Sequence, residues 1–333
     1  MAVNVAIVGA TGAVGQELLL VLAQRKFPIG NLSLLASARS AGKKLEFAGK
    51  TFSVQELTKE SFKNVKIAFF SAGGSVSREF APAAVAAGAV VVDNTSAFRM
   101  KQGVPLVVPE VNPEQIAKHN GLIANPNCST IIMNVPVWPL HKANRIRRVV
   151  VSTYQAVSGA GAAGLRELEQ QIHAYVKGDK IDRSLFPHQI VHNLFSHNTK
   201  IADNGYNEEE NKMVNETRKI FGDPRIMISA TCVRVPIPRA HSESINLEFE
   251  RPITPEEVRQ ILSRAPGVRI VDDRDKNHFP MPLEASGQDD VLVGRIRQDI
   301  SRDDGRGIEL FVSGDQIRKG AATNAVQIAE KLI

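Results

Sequence analysis

The chain has 333 residues, of which 43% are hydrophobic, so it is long enough for two globular domains or one large one with an apolar core. Its net charge of +6 is scattered and aromatic residues make up only 5%, which argues against a nucleic-acid partner and favours small anionic ligands. The longest nearly uncharged apolar run, residues 80–92, is too short to span a bilayer. The two cysteines, Cys128 and Cys232, are too few for a disulfide framework, which indicates a reducing, cytoplasmic setting.

A glycine-rich turn follows the first predicted strand. Residues 3–8 form a β-branched apolar run, Gly9, Gly12 and Gly15 follow at intervals of three, and apolar residues at helical spacing come next. In such a unit, backbone amides at the helix start can bind a pyrophosphate, and glycines leave room for it. The spacing differs from the commoner Gly-x-Gly-x-x-Gly, so a turn without a ligand is the alternative interpretation.

The end of the second predicted strand, residues 32–36, indicates which nicotinamide cofactor the turn would serve. An NAD site usually has an acidic residue here, on the ribose hydroxyls, and this chain has none. Ser37, Arg39 and Ser40 follow the strand instead, and an arginine at this position can hold a 2′-phosphate. The prediction is therefore NADP(H), with a solvated loop arginine as the alternative.

Later strands of the predicted sheet also lead into polar or small residues. Strands are predicted over residues 66–70, 89–92, 106–108 and 121–124, and a helix over 76–87. Ser71 and Gly73 follow the first of these strands, at the sheet edge where ligands collect in open α/β folds. Arg99 follows the second, where it can grip a phosphate or carboxylate with two parallel bonds, or form only a surface salt bridge.

Cys128 lies directly after a proline-containing turn and before an apolar run. Pro126 disfavours helix at the residue before it, and Ser129 and Thr130 can cap a helix that begins here. Unpaired amides at a helix N-terminus stabilise a thiolate, the reactive form of cysteine. Cys128 is therefore a candidate nucleophile, and residue type alone favours the alternative of a buried structural cysteine.

After residue 149 the nucleotide-binding alternation of strands and helices stops. A strand at 149–154 leads to Gln155, and a helix is predicted over 165–175. Three histidines, His188, His192 and His197, invite a metal interpretation. No cysteine or acidic ligand is interleaved with them, so no metal is predicted.

Asn207 can cap a helix whose charged residues are expected on a solvated outer face. These residues are Glu208, Glu209, Glu210, Lys212 and Glu216. Glu209 and Lys212, three residues apart, project to one side of the helix.

His241 lies between two predicted strands, 225–235 and 244–250. The alternation of the first strand places Cys232 and Arg234 on one face. A histidine at such a junction can act as an acid or base near neutral pH, with a histidine bonded to backbone as the alternative. Further elements are predicted over 255–265, 291–297, 308–313 and 320–332.

The order of these elements predicts an α/β protein with two domains. Residues 1–127 are expected to form a Rossmann-type, doubly wound, mostly parallel sheet, rejoined by a C-terminal helix at 320–333. Residues 128–319 are expected to form an α+β domain with a mixed sheet.

The ordered set of motifs resembles aspartate-semialdehyde dehydrogenase over essentially the whole chain. The motifs are GATGAVG, SARSAGK, DNTSAFRM, NPNCST, TYQAVSGAG, the EENK segment, VRVPIPRAHSES and GAATNAVQIAE. The resemblance implies an oxidoreductase that reductively dephosphorylates L-4-aspartyl phosphate to L-aspartate 4-semialdehyde with NADPH, in the diaminopimelate route to lysine and in threonine and methionine biosynthesis. It also implies a homodimer, or a dimer of dimers, joined through the second domain, which would be the catalytic and dimerisation domain.

The resemblance further implies residue roles. Cys128 would be the nucleophile, His241 the acid/base, and Gln155 the side chain that positions the acyl intermediate. The substrate would be held by Arg99 and Lys212 at the phosphate, Arg234 at the carboxylate, Glu209 at the amino group and Asn127 near the carbonyl oxygen, with Glu208 and Glu210 as alternatives to Glu209. The cofactor site would comprise Gly9, Thr11, Gly12, Ala13, Val14, Ser37, Arg39, Ser40, Ser71, Gly73, Ser158, Gly159, Gln316 and Asn324.

Two other functions stay open at this point. An N-acetyl-γ-glutamyl-phosphate reductase shares the glycine turn and the cysteine thioester, but its acetylated substrate has no ammonium group for Glu209 to bind. A non-catalytic NADP-binding module could sense redox state through Cys128, but it would not need Gln155, Arg234 and His241 together.

Overall fold

The computed structural model describes residues 2–333. The strands are β1 Val3–Val8, β2 Ile29–Ala36, β3 Lys44–Phe47, β4 Lys50–Ser53, β5 Gln55–Glu56, β6 Ile67–Phe70, β7 Val90–Asp93, β8 Leu122–Ala124, β9 Ile146–Gln155, β10 Phe195–Ser196, β11 Met227–Arg234, β12 His241–Phe249, β13 Val268–Ile270, β14 Val291–Gln298 and β15 Gly307–Gly314. The helices are α1 Ala13–Gln24, α2 Gly74–Ala86, α3 Cys128–Ala143, α4 Ala162–Lys177, α5 Glu208–Phe221, α6 Pro255–Leu262, α7 Pro282–Ala285 and α8 Thr323–Glu330. No helix in residues 2–333 is long and apolar enough to cross a membrane.

The first compact unit runs to Asn127 and takes in Ala321–Ile333. Its six-stranded sheet has the order β5-β2-β1-β6-β7-β8, and every pair in it is parallel. Val5 and Ile7 of β1 pack in one core cluster with α1 and α8, whereas Ala6 and Val8 pack in a second cluster with α2. Because helices cover both faces, the buried residues of the central strands form apolar runs instead of alternating with polar residues. The predicted doubly wound parallel sheet is confirmed.

The second compact unit, Cys128–Gly320, contains a seven-stranded sheet of order β10-β11-β9-β12-β15-β14-β13. Strand β9 pairs parallel with β11 and antiparallel with β12, so the predicted mixed sheet is confirmed. Helices α3, α5 and α6 pack on one face of this sheet. On the opposite face Tyr154 is 39% exposed and its ring lies 6.2 Å from that of Phe311.

Three predictions about local structure are wrong in detail. Residues 106–108 form no strand: only Leu106 makes an isolated bridge, to Ala124, because the prolines at 105 and 109 interrupt the chain on both sides. Strand β12 starts at His241 and not at residue 244. The last helix is preceded by a π-helical turn over Arg318–Ala322, so α8 itself starts only at Thr323.

The expected solvated face of α5 is wrong for three of its five charged residues, whereas Glu208 is exposed as expected. Glu209, Glu210 and Glu216 are all buried. Glu210 completes a capping box with Asn207 and also accepts the backbone N–H of Cys232 at 3.0 Å. A carboxylate can be buried at this helix start because backbone donors of a neighbouring strand meet it there.

Candidate active site

Cys128 is the first residue of α3 and lies at the boundary of the second unit. Its side chain is partly exposed, and its Sγ is 3.6 Å from Nε2 of His241. The partial positive charge of a helix N-terminus favours negative charge at this position. A Cβ atom at Gly320 would lie 2.9 Å from Cβ of Cys128, so a glycine is required beside the thiol. Neither Gly320 nor its contact was predicted, because no local pattern links it to Cys128.

His241 is completely buried at the start of β12, and its neighbours define which nitrogen carries the proton. The backbone N–H of Ala156 donates to Nδ1 at 3.0 Å, so Nδ1 is an acceptor and the neutral ring carries its proton on Nε2. Burial, and then the charge of Arg234, lower the pKa of His241 to about 3. The ring therefore stays neutral at physiological pH and presents an N–H donor to Sγ of Cys128.

Gln155 connects the nucleophile's helix to α5. Its Nε2 donates to Oγ of Ser129 at 2.9 Å and to Oε1 of Glu209 at 3.1 Å, while its Oε1 is buried without a partner in residues 2–333. Glu209 also accepts from Nζ of Lys212 at 3.1 Å. The predicted Glu209–Lys212 pair thus exists, but it is part of a buried polar cluster that includes Ser129, which sequence reasoning missed.

Arg234 ends β11 beside Gln155, which ends the parallel strand β9. The guanidinium is only 3% exposed. Its Nη1 donates to the carbonyl oxygen of Ala156 at 2.6 Å, and Nη2 lies 2.7 Å from Nε2 of His197. Its Nε is buried and has no partner in the described residues. A buried cation with a spare donor suits the capture of a carboxylate.

Gly159 lies close to the side chains of both Arg234 and His241. A Cβ atom there would lie 3.0 Å from Nη1 of Arg234 and 3.4 Å from Nε2 of His241. Ser158, before it, is bonded to the side chain of Gln316. Ser158, Gly159 and Gln316 were predicted to bind the cofactor, and all three lie in the second unit.

The first unit contains a cavity of about 600 Å³ at the C-terminal ends of its strands. Seven of the residues assigned to the cofactor line it: Gly9, Thr11, Gly12, Ser37, Arg39, Ser40 and Ser71. Gly9 has a φ of +88°, and a Cβ on it would be 2.9 Å from the backbone N of Ala72. Only glycine meets both requirements there.

The cavity fits a dinucleotide with a 2′-phosphate. Arg39 is exposed just after the end of β2, together with Ser37 and Ser40, at the position where an acidic residue would otherwise bind the ribose hydroxyls. Glu56 also lines the cavity, but it comes from β5. Leu57, Val76 and Phe80 also line the cavity, and sequence reasoning missed these apolar residues because they come from separate elements.

Four residues assigned to the cofactor do not line this cavity: Ala13, Val14, Gly73 and Asn324. Ala13 and Val14 begin α1, and Gly73 precedes α2. Asn324 is fully buried and donates to Oδ1 of Asn125 and to the carbonyl oxygen of Val107.

Arg99 and Asn127 belong to the first unit. Arg99 is 8% exposed, and it donates from Nε to the carbonyl oxygen of Asn125 at 2.9 Å and from Nη2 to that of Asn94 at 2.8 Å. These two bonds to backbone carbonyl oxygens fix the orientation of the guanidinium. Asn127 is buried and directly precedes Cys128 in the chain.

The three histidines of residues 188–197 do not form a cluster. His188 packs against Phe195, His192 packs against Tyr175, and His197 contacts Arg234. Within residues 2–333 no group of three or more His, Cys, Asp or Glu side chains is arranged to hold a metal ion.

A dinucleotide fold with a cysteine–histidine pair defines a class, the nicotinamide-dependent oxidoreductases that use a thiol nucleophile. Two family models match: "Semialdehyde dehydrogenase, NAD binding domain" over residues 4–119, and "Semialdehyde dehydrogenase, dimerisation domain" over residues 137–319. An aspartate-semialdehyde dehydrogenase of Synechocystis is 55% identical over 331 residues, covering 99% of this chain and 97% of the relative. One of Aquifex aeolicus is 54% identical, covering 100% and 98%.

Solved structures agree with these relatives. Aspartate semialdehyde dehydrogenase II of Vibrio cholerae, complexed with ASA, has a TM-score of 0.96 at 50% identity and covers 100% of this chain and 98% of its own. The Candida albicans aspartate semialdehyde dehydrogenase with NADP has a TM-score of 0.79 at 27% identity, with the same coverage. The chain belongs to the aspartate-semialdehyde dehydrogenase family, and the predicted resemblance is confirmed.

Proposed function

We propose that this chain performs the reaction of its family, the NADPH-dependent reductive dephosphorylation of L-4-aspartyl phosphate to L-aspartate 4-semialdehyde. This step belongs to the biosynthesis of lysine, threonine and methionine. The observation that carries the residue assignment is the 3.6 Å approach of Sγ of Cys128 to Nε2 of the buried, neutral His241.

In the first step the Cys128 thiolate attacks the acyl carbon of the substrate. A carbon–sulfur bond forms, the carbon–oxygen bond to phosphate breaks, and a thioester results. Arg99 and Lys212 bind the departing phosphate, which takes up the one proton that the overall reaction consumes. Backbone N–H groups at Asn127 and Cys128 stabilise the negative charge that develops on the carbonyl oxygen.

In the second step the thioester is reduced and the aldehyde is released. NADPH, when bound at the first unit's cavity, supplies the hydride. Cys128 then leaves the tetrahedral carbon as a thiolate, so neither step requires a proton to be placed on sulfur or taken from it. His241 accordingly acts as a fixed N–H donor to the sulfur and the developing oxyanion, which refines the acid/base role that the family resemblance implies.

The remaining polar groups recognise the amino-acid part of the substrate. Arg234 binds the α-carboxylate with its spare donors, and Glu209 binds the α-ammonium group. Gln155 holds the acyl group, since its amide is already oriented by Ser129 and Glu209. Glu209 favours a free α-amino substrate over the N-acetylated substrate of the related reductase, because that substrate has no ammonium group to donate to the buried carboxylate.

We further propose that the second unit forms a homodimer through the sheet face that carries Tyr154 and Phe311, and that the enzyme works in the cytoplasm. The exposed ring of Tyr154, which packs against Phe311, and the match to a dimerisation domain over residues 137–319 support the dimer. Residues 128–319 would thus serve as the catalytic and dimerisation domain, and residues 1–127 with the C-terminal helix as the dinucleotide-binding domain.

The reaction is tested in the reverse direction, by following NADPH formation from L-aspartate 4-semialdehyde, phosphate and NADP. Cys128→Ala should abolish turnover and keep the fold, as judged by circular dichroism. Cys232→Ala is the matched control, because this second thiol is fully buried against Met213 and should be dispensable for chemistry. N-acetyl-L-glutamate 5-semialdehyde tests the related reductase activity. Turnover of that compound alone, or persistent activity in Cys128→Ala, would refute the assignment.

A further inference from the structure

His197 contacts the guanidinium of Arg234 in a way that defines its protonation. Nη2 of Arg234 can only donate, and it lies 2.7 Å from Nε2 of His197, so Nε2 must be an unprotonated acceptor. The neutral ring then carries its proton on Nδ1, which lies 3.2 Å from Oγ1 of Thr199. The same Oγ1 accepts the backbone N–H of Glu209 at 3.2 Å. A continuous chain of hydrogen bonds therefore joins Arg234 to the backbone of Glu209.

This chain is buried and anchored at both ends. His197 is 9% exposed, Arg234 3% and Glu209 4%. The backbone N–H of His197 donates to the carbonyl oxygen of Cys232 at 2.8 Å, which fixes the histidine to the strand that carries Arg234. Burial lowers the pKa of His197 to about 4, so the ring stays neutral at physiological pH and does not repel the guanidinium.

The bonds to protein leave a defined set of donors on Arg234. One N–H of Nη1 goes to Ala156 and one of Nη2 to His197. Three hydrogens remain to bind a substrate: the Nε–H, which has no partner in residues 2–333, and the second hydrogens of Nη1 and Nη2. Without an acceptor at position 197 the guanidinium could rotate about its long side chain, and these donors would no longer point in one direction.

We propose that His197 is a positioning residue that orients the Arg234 guanidinium and, through Thr199, holds it in register with Glu209. Arg234 and Glu209 then bind the α-carboxylate and the α-ammonium group of the same substrate molecule, so His197 determines selectivity for an α-amino acid. This inference rests on the proposed function, since it assumes that Arg234 and Glu209 bind the substrate.

The test compares His197→Leu, which removes the acceptor, with His197→Gln, whose Oε1 can replace Nε2. The control is His188→Leu, an exposed histidine of the same segment that contacts Phe195 and not Arg234. Kinetics are measured with L-aspartate 4-semialdehyde and with 3-aminopropanal, which lacks the α-carboxylate. His197→Leu should raise KM for the semialdehyde by about 10- to 100-fold, leave KM for phosphate unchanged, and reduce discrimination against 3-aminopropanal by a similar factor. His197→Gln should restore most of both values.

A purely structural role would instead lower the amount of active enzyme, and kcat, without changing discrimination between the two aldehydes. That result, or an unchanged KM in His197→Leu, would overturn the proposal. If His197→Leu does not fold, Thr199→Val gives the same readout at about three- to tenfold, because the Nδ1 proton loses its acceptor. An unchanged discrimination ratio in Thr199→Val would also overturn it. A wild-type enzyme that is inactive on L-aspartate 4-semialdehyde would refute the proposed function itself, so the two failures are distinguishable.

Discussion

The hydrogen bond from His241 to Cys128 should control how much of the thiol is present as the reactive thiolate. His241→Leu removes the Nε2–H donor, and it also removes the Nδ1 acceptor of the Ala156 N–H. A hydrogen bond to a charged group contributes about 1.5–3 kcal/mol, and each 1.4 kcal/mol is a factor of ten in an equilibrium constant. The thiolate population at neutral pH should therefore fall by about 10- to 100-fold.

Alkylation by iodoacetamide measures this population directly, because the thiolate is the nucleophile. Cys232 adds little background, since burial raises the pKa of its thiol and no reagent reaches it. The expected result at pH 7 is about a 10- to 100-fold slower alkylation in His241→Leu, with a partial recovery in His241→Gln, whose amide can donate. An alkylation rate equal to that of the wild type would refute the role of His241 as the donor that stabilises the thiolate.

Three further predictions follow from other buried groups. Arg234→Lys should raise KM for the semialdehyde and lower kcat by about tenfold or more, because an ammonium cannot reproduce the fork of donors; unchanged steady-state kinetics would remove Arg234 from the site. Glu243 is fully buried with no partner for either oxygen in residues 2–333, and burial raises its pKa well above 4.5. The protonated Glu243 side chain contributes to the free energy of unfolding below pH 4.5, and this contribution is lost as the pH rises towards the pKa of Glu243 in the folded protein. Chemical denaturation should therefore show Glu243→Gln gaining stability relative to wild type between pH 4 and pH 8. A difference that stays constant with pH would contradict this. His197 and His241 have folded pKa values of about 4 and about 3 against 6.5 when unfolded. The neutral imidazoles stabilise the folded protein above pH 6.5, and this stabilisation is lost as the pH falls. The free energy of unfolding should decrease by about 4 kcal/mol between pH 7 and pH 5 through these two residues, and by about half as much in His197→Gln.

Local signals in the sequence predicted the fold well. Gly9 needs both a left-handed backbone and close contact with Ala72, and only glycine supplies both. Asn207 caps α5 as predicted, because its side chain accepts the backbone N–H of Glu210, only three residues on. The buried parts of the parallel strands β1 and β6, residues 5–8 and 67–70, appear as short apolar runs. In each case the residues that determine the local structure lie within a few positions of one another in the sequence.

The parts of the site that were missed depend on contacts between distant segments. His197 and Arg234 are separated by 37 positions, and no spacing rule connects them. The charges of α5 have the periodicity of a solvated face, yet Glu209 is buried because Gln155 of another strand meets it. Whether a carboxylate is exposed or buried depends on donors from elsewhere in the fold, and helical spacing carries no information about those donors.

The covalent step at Cys128 is tested most directly by mass spectrometry of the enzyme mixed with L-aspartate 4-semialdehyde and NADP in the absence of phosphate. Without phosphate to release the acyl group, one NADPH should form per active site, and the peptide that contains Cys128 should gain the mass of one aspartyl group. The adduct should disappear when phosphate is added. Continuous NADPH formation with no adduct, or an adduct on any other residue, would contradict the thioester mechanism.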